Sequence, residues 1–556
     1  MSLIRKHIAD KGWLGWITGF LALSWLLLRS GTNPKRLNYP CQRAAMQVTS
    51  GWIVAVIAYL IGSVLLRRTL KFSMAPVVLV GAVWFATAFT DNSYSARRNV
   101  DIPLPKWEVE SPTSLVFVLD SVPPTTGSLA AGNASVPDAH LSDYAMDTLL
   151  SMMETKDIHL YRSAEYPSGI VGADNIVIIK GNFQWTSYNT THTDRVKGLI
   201  WQILQHPDGF SGEIIVCDNT QDLGTGIAEN DNNSDDPDQS IIDVVATFYA
   251  KGYPVYCLNW YTMWATVAWE YSMGDYYDGY VYESESKISY PKFQTPSGDY
   301  YVSLRYGIWN TETSTYDSSQ LCIIDFPVLK SHALAGATIA IKNWIGVMTT
   351  AYSLGRYGGF MEMHYDYLFG PYALTAKIFA ATYPRLTIID AAWTTTNGPN
   401  DLIWVENTKM LLASTDPVAA SWYSAKYMLT PIAALPHHTN PDNPGGNYNL
   451  NLGYWTDFLV DSAGYDITKD STAISVYGRE LVASEYVCGD ATRDGSVNLL
   501  DILYVIDYLY NDPPGPPPTP MEAGDPNADG DVNLLDVLYL IDNLYNEPPG
   551  PDPLCP

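Results

Sequence analysis

The sequence has few cysteines and few basic residues for its length. It contains six cysteines in 556 residues, and no two of them form a C-x-x-C pair. Iron–sulfur clusters need closely spaced thiolates, so we expect no such cluster in this chain. Asp and Glu outnumber Lys and Arg by 59 to 32, which gives a net charge of −27. An acidic chain lacks the basic face that nucleic-acid binding requires, and we expect no nucleic-acid partner.

Several catalytic motifs are also missing. The sequence has no nucleophile elbow, no phosphate-binding P-loop, no H-E-x-x-H motif and no Rossmann glycine fingerprint. Glycosidases typically need two carboxylates that flank the scissile bond, and no such pair stands out. Because these motifs are absent, the sequence assigns no reaction and leaves open whether the protein is an enzyme.

Apolar runs without any charge fill much of the N-terminal part. They span residues 12–28, 51–66 and 74–89. Each is close to the length of about 20 residues that a membrane-spanning helix needs. A cleaved signal peptide would explain only the first run. We therefore predict a membrane anchor of three transmembrane helices in residues 1–92, with two as the alternative. The lipid bilayer would be a partner, and the large C-terminal part of this multi-pass cell-membrane protein would lie outside the cytoplasm.

Apolar strands alternate with helical patterns between residues 113 and 430. Strands are predicted at 115–119, 176–179, 213–217, 255–258, 321–326 and 386–389, and helices at 195–205, 241–250, 336–348, within 367–382 and at 417–428. Strands separated by helices form parallel crossover units. We therefore predict an α/β domain with a mostly parallel sheet and helices on both faces. Segment 261–316 is interpreted as an insertion or lid, and 431–487 as a connector.

A cluster of polar residues follows the predicted strand 321–326. We expect a loop with Lys330 and His332 after this strand, and then a helix that carries Lys342 and Asn343. Ligand sites of open α/β sheets lie beyond the carboxyl ends of the strands, where these residues fall. Buried lysines attract an anion, and a desolvated Lys or His has a pKa suited to proton transfer. The alternative is that Lys342 and Asn343 only satisfy backbone carbonyls.

Lys180 and Asn182 follow the strand 176–179 in the same way and can converge on the same crevice. We predict a site for a small anionic ligand there. The catalytic candidates are Lys330, His332 and Lys342, and the ligand-binding candidates are Lys180, Asn182 and Asn343.

Other ionisable residues are weaker candidates. Asp218 and Asp390 lie at strand ends, where they could orient the lysines or bind a metal. Asp416 could do the same, but we favour a helix cap in front of Pro417. His364 is a lone histidine, and such residues are more often structural.

The central stretch also resembles a known family. P-x-L-K-S-H at 327–332, followed by T-I-A-I-K-N-W-I-G at 338–346, is similar to the central signature of the DUF362 family, whose activity is not assigned. The similarity continues at 175–182, 386–399 and 411–423. It implies a shared fold and pocket over roughly residues 115–430. Many family members are associated with iron–sulfur clusters, and many have an Asp where this chain has Ser421. We carry over neither feature.

An internal repeat fills the C-terminal part, where residues 489–516 recur as 524–551. Each copy begins with the twelve-residue spacing of a calcium loop, with oxygen ligands along a turn and glycine at the sixth position. The predicted ligands are Asp490, Thr492, Asp494, Ser496, Asn498 and Asp501, and then Asp525, Asn527, Asp529, Asp531, Asn533 and Asp536. Thr492 is a poorer ligand than Asn527, so we expect the first site to be the weaker one.

Asp at the twelfth position with a single helix after each loop resembles type I dockerin repeats more than paired EF-hands. The resemblance implies a small all-α module over residues 488–556, with calcium as cofactor and a cohesin-like protein as a potential partner. So small a module buries little core, and calcium binding should be coupled to its folding. Cys488 and Cys555 bracket the module and could pair in an oxidising compartment.

The sequence thus predicts a membrane-anchored, outward-facing protein with an anion-binding α/β domain and a calcium module. Two alternatives stay open. One is a non-catalytic docking or scaffold protein. The other is a component of an extracellular polysaccharide-degrading system, attached through the dockerin-like module.

Overall fold

The structure is a computed structural model. It describes residues 100, 102–123, 129, 132–136, 138–184, 187–220, 239–349, 372–399, 404–481, 488–493, 497–511, 514–518, 521–527, 531–546, 550 and 553. Backbone contacts divide the chain into two units, Met1–Arg98 and Asn99–Pro556, and all described residues belong to the second. The predicted membrane segments lie outside the described residues. Within the described ranges, no helix is long and apolar enough to cross a bilayer.

Strands and helices alternate along the described chain. The strands are β1 (Ser114–Asp120), β2 (Tyr161–Arg162), β3 (Val171–Gly172), β4 (Ile176–Lys180), β5 (Glu213–Asp218), β6 (Val255–Asn259), β7 (Gly279–Glu283), β8 (Ile288–Gln294), β9 (Tyr301–Ser303), β10 (Gly307–Asn310), β11 (Thr315–Asp317), β12 (Leu321–Asp325), β13 (Val328–His332), β14 (Gly336–Thr338), β15 (Leu386–Thr395), β16 (Val405–Ser414) and β17 (Ile474–Glu480). The α-helices are α1 (Tyr144–Glu154), α2 (Thr193–Leu204), α3 (Ile241–Ala250), α4 (Ala340–Asn343), α5 (Leu374–Thr382), α6 (Pro417–Tyr423), α7 (Pro436–Thr439), α8 (Asn447–Asp457), α9 (Leu499–Tyr510) and α10 (Leu534–Tyr545).

Ten of the described strands form one mixed sheet. Its order is β17-β1-β16-β15-β12-β4-β5-β6, and the β13–β14 hairpin joins it through β13, which runs parallel to β15. Strands β15, β12, β4, β5 and β6 are parallel to one another. β16 is antiparallel to both of its neighbours, and β17 is parallel to β1. The predicted α/β class with a mostly parallel sheet is confirmed.

Both faces of the large sheet are covered. Along β4, Ile176 and Ile178 face one hydrophobic core, while Val177 and Ile179 face the other. Helices α4, α5, α6 and α8 pack in the first core, and α1, α2 and α3 pack in the second. Strands buried on both faces are continuous apolar runs, as the central strands here are.

The region after β12 differs from the prediction. Lys330 lies in strand β13 and not in a loop. The predicted helix 336–348 is replaced by β14, the single helical turn α4 and a 3₁₀ turn at Trp344–Gly346. Gly336 has a φ of +86°, which an α-helix does not allow, and β14 pairs with β13. Hairpin pairing therefore overrides the helical pattern of this segment.

Two segments predicted to be peripheral contribute to the first core. Within 261–316, strands β7 to β10 belong to a five-stranded antiparallel sheet that places Phe293 in this core. A role for this sheet as a lid stays a prediction. Within 431–487, α8 adds Tyr448 to the core, and β17 forms one end of the large sheet. The α/β domain therefore continues to Glu480, beyond residue 430.

The C-terminal module is helical in its described residues. Helices α9 and α10 pack on each other around a small separate core of Ala491, Ile502, Val505, Val537 and Leu540. Asn498 and Asn533 begin the two helices with reciprocal capping boxes. Equivalent caps at equivalent positions agree with the internal repeat of the sequence.

Candidate functional site

Three adjacent parallel strands each end in a charged residue. β12 ends at Asp325, β4 at Lys180 and β5 at Asp218, and the register places Asp325 opposite Lys180. Lys180 Nζ lies 2.8 Å from Asp218 Oδ1, and both side chains are buried. A buried ion pair needs further hydrogen bonds to offset the loss of water. The surrounding residues supply them.

Two asparagines connect the strand ends. Asn343 Oδ1 accepts hydrogen bonds from Lys180 Nζ at 3.0 Å and from Asn182 Nδ2 at 2.9 Å. Asn343 Nδ2 donates to Asp325 Oδ1 at 2.9 Å. Asn182 Oδ1 accepts from Lys330 Nζ at 2.7 Å. Four of the predicted site residues therefore belong to one hydrogen-bonded group. We call this group the lysine network, and it consists of Lys180, Asn182, Asp218, Asp325, Lys330 and Asn343.

Lys330 is held by oxygen atoms in the interior of the domain. Besides its bond to Asn182, its Nζ donates to the carbonyl oxygen of Asn189 at 2.8 Å. Burial lowers the pKa of Lys330 well below its usual value, while the charge of Asp218 raises it. The charges of Lys342 and Lys180 lower the pKa of Lys330 further. The three lysines are therefore close enough to influence one another.

Lys342 differs from the other two lysines. Its side chain is buried, and within the described part of the chain it makes no hydrogen bond and no ion pair. Burial, and then the charge of Lys180, lower the pKa of Lys342 from 10.5 to about 7. About half of the molecules would carry a neutral amine here at pH 7. A buried amine beside other cations is suited to binding an anion or to transferring a proton.

Asp325 also changes its charge near neutral pH. Burial raises the pKa of its carboxyl group to about 7, against the lowering effects of the Asn343 hydrogen bond and the Lys180 charge. Its Oδ2 atom is buried and has no hydrogen-bond partner among the described residues. The site thus combines a carboxyl group and an amine whose pKa values lie in the same range. Such pairs are typical of sites that move protons.

The backbone at Gly346 passes close to the Lys180–Asp218 pair. A Cβ atom at this position would lie 2.8 Å from Asp218 Oδ1 and 2.8 Å from Lys180 Nζ. Only glycine leaves the pair undisturbed. Neither Gly346 nor Asp325 is among the predicted site residues. Nothing in the sequence indicates the approach of Gly346, whereas Asp325 ends an apolar strand just as Lys180 and Asp218 end theirs.

His332, the last residue of β13, is hydrogen-bonded to the turn that follows this strand. Its Nδ1 accepts hydrogen bonds from the backbone N–H groups of Leu334 and Ala335, at 3.1 and 3.0 Å. The ring lines a pocket of about 280 Å³ to which His438 also contributes. The described contacts thus place His332 in the β13–β14 turn. The predicted catalytic grouping of this histidine with Lys330 stays a prediction.

The acidic candidates have separate roles. Asp218 pairs with Lys180, as described above. Asp390 accepts hydrogen bonds from the backbone N–H groups of His192 and Ala392, at 2.7 and 3.0 Å. Asp416 accepts from two N–H groups in the first turn of α6, which confirms the predicted cap. His364 lies outside the described residues.

The calcium loops place carboxylates in buried positions. Asp490, Asp501, Asp525 and Asp536 are each at most 3% exposed. Thr492 Oγ1 donates to Asp501 Oδ1 at 2.8 Å, and burial raises the pKa of Asp501. Buried carboxylates need a cation or many hydrogen bonds, and hard oxygen donors are the ligands that calcium prefers. The donor set therefore fits calcium.

Some of the predicted ligands cannot be placed. Asp494, Ser496 and Asp529 lie outside the described residues. The described residues alone contain no group of three or more His, Cys, Asp or Glu side chains that could hold a metal. Asn527, Asp531 and Asn533 are described, and Asn533 caps α10.

Cys488, at the start of the module, forms a disulfide bond. The other described cysteines are free thiols: Cys217, Cys257 and Cys322. Cys555 lies outside the described residues, so its pairing with Cys488 stays a prediction.

Models of two known families match parts of the chain. No curated protein and no solved structure shows a significant match to it. The first match, over residues 293–426 of the α/β domain, includes Lys330, Lys342 and Asn343 and excludes Lys180 and Asn182. The chain is similar over residues 293–426 to the family described as "Domain of unknown function (DUF362)" and over residues 488–545 to the "Dockerin type I domain".

Proposed function

We propose that the α/β domain binds a small anionic ligand at Lys342 and that the lysine network positions this residue. The observation that supports the proposal most directly is the Lys342 side chain, which is buried without a hydrogen bond or ion pair among the described residues. Burying a cation without a counter-ion costs free energy. A carboxylate or phosphate group that reaches Lys342 would remove this cost.

The charges around Lys342 favour an anion over a cation. Lys180 already has a carboxylate partner in Asp218. The remaining ionisable groups of the site are two amines, Lys330 and Lys342, and one carboxyl group, Asp325, whose pKa is about 7. When Lys330 and Lys342 are both protonated, the site has a surplus of positive charge, and one anionic group would balance it.

A mass measurement on the full chain tests this proposal. The protein is purified gently without chelators, and native mass spectrometry identifies any small molecule that stays bound. We expect a stoichiometric anion in the natural protein and in Lys106→Met, which removes an exposed lysine. We expect one anion fewer per chain in Lys342→Met. Equal ligand content in Lys342→Met and in the natural protein would refute the assignment to Lys342.

We propose that the dockerin-like module docks a cohesin-like protein. Type I dockerin domains bind calcium and typically bind cohesin partners. Helix α9 exposes Leu500 and Leu503 by 56% and 51%, and α10 exposes Leu535 and Leu538 by 57% and 51%. Apolar side chains exposed at equivalent positions of both repeats are typical of a protein-binding surface.

A capture experiment tests the docking role. An immobilised cohesin domain should retain the full chain in calcium and release it in a chelator. The double variant Leu503→Asp and Leu538→Asp should not be retained, because charges replace the exposed apolar stripe. Leu450→Asp is the matched control, since Leu450 is a similarly exposed leucine in α8 of the α/β domain. Retention of the double variant at the level of this control would exclude the stripe as the docking surface.

We also propose that the protein is anchored in the cell membrane, with the described part outside the cytoplasm. The uncharged runs at 12–28, 51–66 and 74–89 support the anchor. The disulfide bond of Cys488 supports an oxidising compartment. Labelling of intact cells with a membrane-impermeant amine reagent tests the orientation. Protection of the exposed lysines of the α/β domain in intact cells would contradict it.

A further inference from the structure

A pocket of about 280 Å³ lies beside the β13–β14 hairpin. Its walls come from this hairpin, from the residues that follow β15 and from the segment that contains α7. The polar side chains in its lining are those of Ser331, His332, Thr396, Asn397, His438 and Thr439. This volume can hold a ligand of roughly ten non-hydrogen atoms.

The lining of the pocket disfavours cations. Among the described residues that line it, none is acidic and none is Lys or Arg. The ionisable groups of the lining are the imidazoles of His332 and His438. The pocket therefore offers hydrogen-bond donors without a carboxylate that would attract a metal or an ammonium group.

The hairpin fixes the tautomer of His332. Its Nδ1 accepts hydrogen bonds from two backbone N–H groups, those of Leu334 and Ala335. An accepting nitrogen keeps its lone pair, so the hydrogen of a neutral ring is on Nε2. A protonated Nε2 donates hydrogen bonds and does not coordinate a metal. His332 is therefore built as a donor.

His438 adds a second imidazole from another segment. Its Nδ1 is buried and has no hydrogen-bond partner among the described residues. A buried polar atom without a hydrogen bond costs free energy, which a ligand can recover. Close packing holds this segment against the hairpin, because a Cβ atom at Gly336 would lie 2.5 Å from the carbonyl oxygen of His438. Ser331 Oγ also accepts a hydrogen bond from the backbone N–H of Gly398 at 2.7 Å, which attaches the segment after β15 to the hairpin.

We infer that this pocket is a second ligand site, separate from Lys342, and that it binds a small oxyanion between His332 and His438. The oxyanion is a carboxylate or a phosphate group. Both offer several acceptor oxygens to the imidazole N–H groups, and both fit the volume and the absence of acidic lining residues.

The test measures anion binding to the full chain in the Lys342→Met background, so that binding at Lys342 does not contribute. Inorganic phosphate and acetate are the two probes, titrated separately in a calorimeter, and the tighter one identifies the type of oxyanion. His332→Asn keeps a side-chain oxygen that can accept from the turn N–H groups but lacks the Nε2 donor. His438→Ala removes the other imidazole. His437→Ala is the matched control, because its ring lies 4.3 Å from that of His438 and does not line the pocket.

We expect the affinity for the better probe to fall at least tenfold in His332→Asn and in His438→Ala and to stay unchanged in His437→Ala. Mapping of histidine acylation by mass spectrometry gives a second readout, in which the probe should protect His332 and His438 but not His437. Unchanged affinity in both pocket variants, or no anion binding at all in the Lys342→Met background, would overturn the inference. Neither result would bear on the proposed site at Lys342, which the mass measurement above tests separately.

Discussion

Replacing Lys342 by methionine should stabilise the folded protein at neutral pH. Burial lowers the pKa of Lys342 from 10.5 to about 7. Each unit of this pKa difference corresponds to about 1.4 kcal/mol. At a pH where the lysine is protonated in both states, the free energy of unfolding is therefore lower by about 5 kcal/mol. Methionine has a similar length and no charge, so it removes this cost.

The effect has a defined dependence on pH. Between pH 7 and 10.5 the unfolded lysine binds a proton and the folded one does not. The stability of the natural protein therefore rises with pH across this window, by about 1.4 kcal/mol per unit. Below pH 7 both states bind the proton and the full cost applies. The advantage of Lys342→Met should therefore be largest below pH 7 and should shrink as the pH approaches 10.5.

Urea unfolding followed by tryptophan fluorescence measures this difference between pH 6 and 9.5. Urea is uncharged and leaves the electrostatic contribution unscreened. Lys106→Met removes an exposed lysine and serves as the control, for which we expect no pH-dependent difference. A Lys342→Met protein that is less stable than the natural one at pH 6, or an advantage that does not change with pH, would refute the reasoning. A lysine retained at such a cost is typical of a functional residue.

Three further predictions concern the same site and the calcium module. Asp325→Asn should raise the stability above pH 7 and leave it unchanged near pH 3. The pKa of the carboxyl group is about 7 in the folded protein and 3.8 in the unfolded chain, so between these two values only the folded state binds the proton. The natural protein therefore loses stability as the pH rises from 3.8 to 7, and asparagine avoids this loss. The same urea titration measures the stability difference between Asp325→Asn and the natural protein. A difference that persists near pH 3 would contradict the prediction. Gly346→Ala should destabilise the domain by about 1–3 kcal/mol, because its Cβ would lie 2.8 Å from Lys180 Nζ and from Asp218 Oδ1. Gly445→Ala, where a Cβ meets nothing within 4 Å, is the control in thermal unfolding, and equal melting temperatures of the two variants would contradict the prediction. Thr492→Asn should tighten calcium binding at the first loop several-fold, because an amide oxygen replaces a hydroxyl that now donates to Asp501. Calcium titration by calorimetry would show this as a change in the weaker of two sites, and a change in the stronger one would show that the ranking of the loops is wrong.

Much of the fold is predictable because local and tertiary preferences agree. Helix α3 occupies residues 241–250 as predicted, since Ser240 and Asp243 form a capping box in front of an apolar run. The central parallel strands contain continuous apolar runs, and their charged carboxyl ends converge at one edge of the sheet. Lys180, Asn182, Lys330 and Asn343 therefore meet as the sequence predicts.

The remaining differences arise where distant pairing decides the local structure. The segment 336–348 has the apolar spacing of a helix but pairs as a hairpin at its start. The same hairpin holds His332, because the backbone N–H groups of Leu334 and Ala335 in its turn donate hydrogen bonds to the Nδ1 atom of the ring. The site at Gly346 depends on a backbone approach that no local pattern encodes.

The position of β1 within the sheet has a consequence for biosynthesis. β1 is among the first described segments to be translated, yet both of its neighbours, β16 and β17, come far later in the chain. Ser414 Oγ donates to the Leu115 carbonyl across 299 residues, and Trp107 Nε1 donates to the Ile474 carbonyl across 367. Contacts of such long range slow folding, and until they form, both edges of an apolar strand are open to pairing with other chains. In the nascent protein, β1 therefore lacks one of its two partner strands until Glu480 has left the ribosome. A product truncated before β17 would keep one edge of β1 exposed and should aggregate.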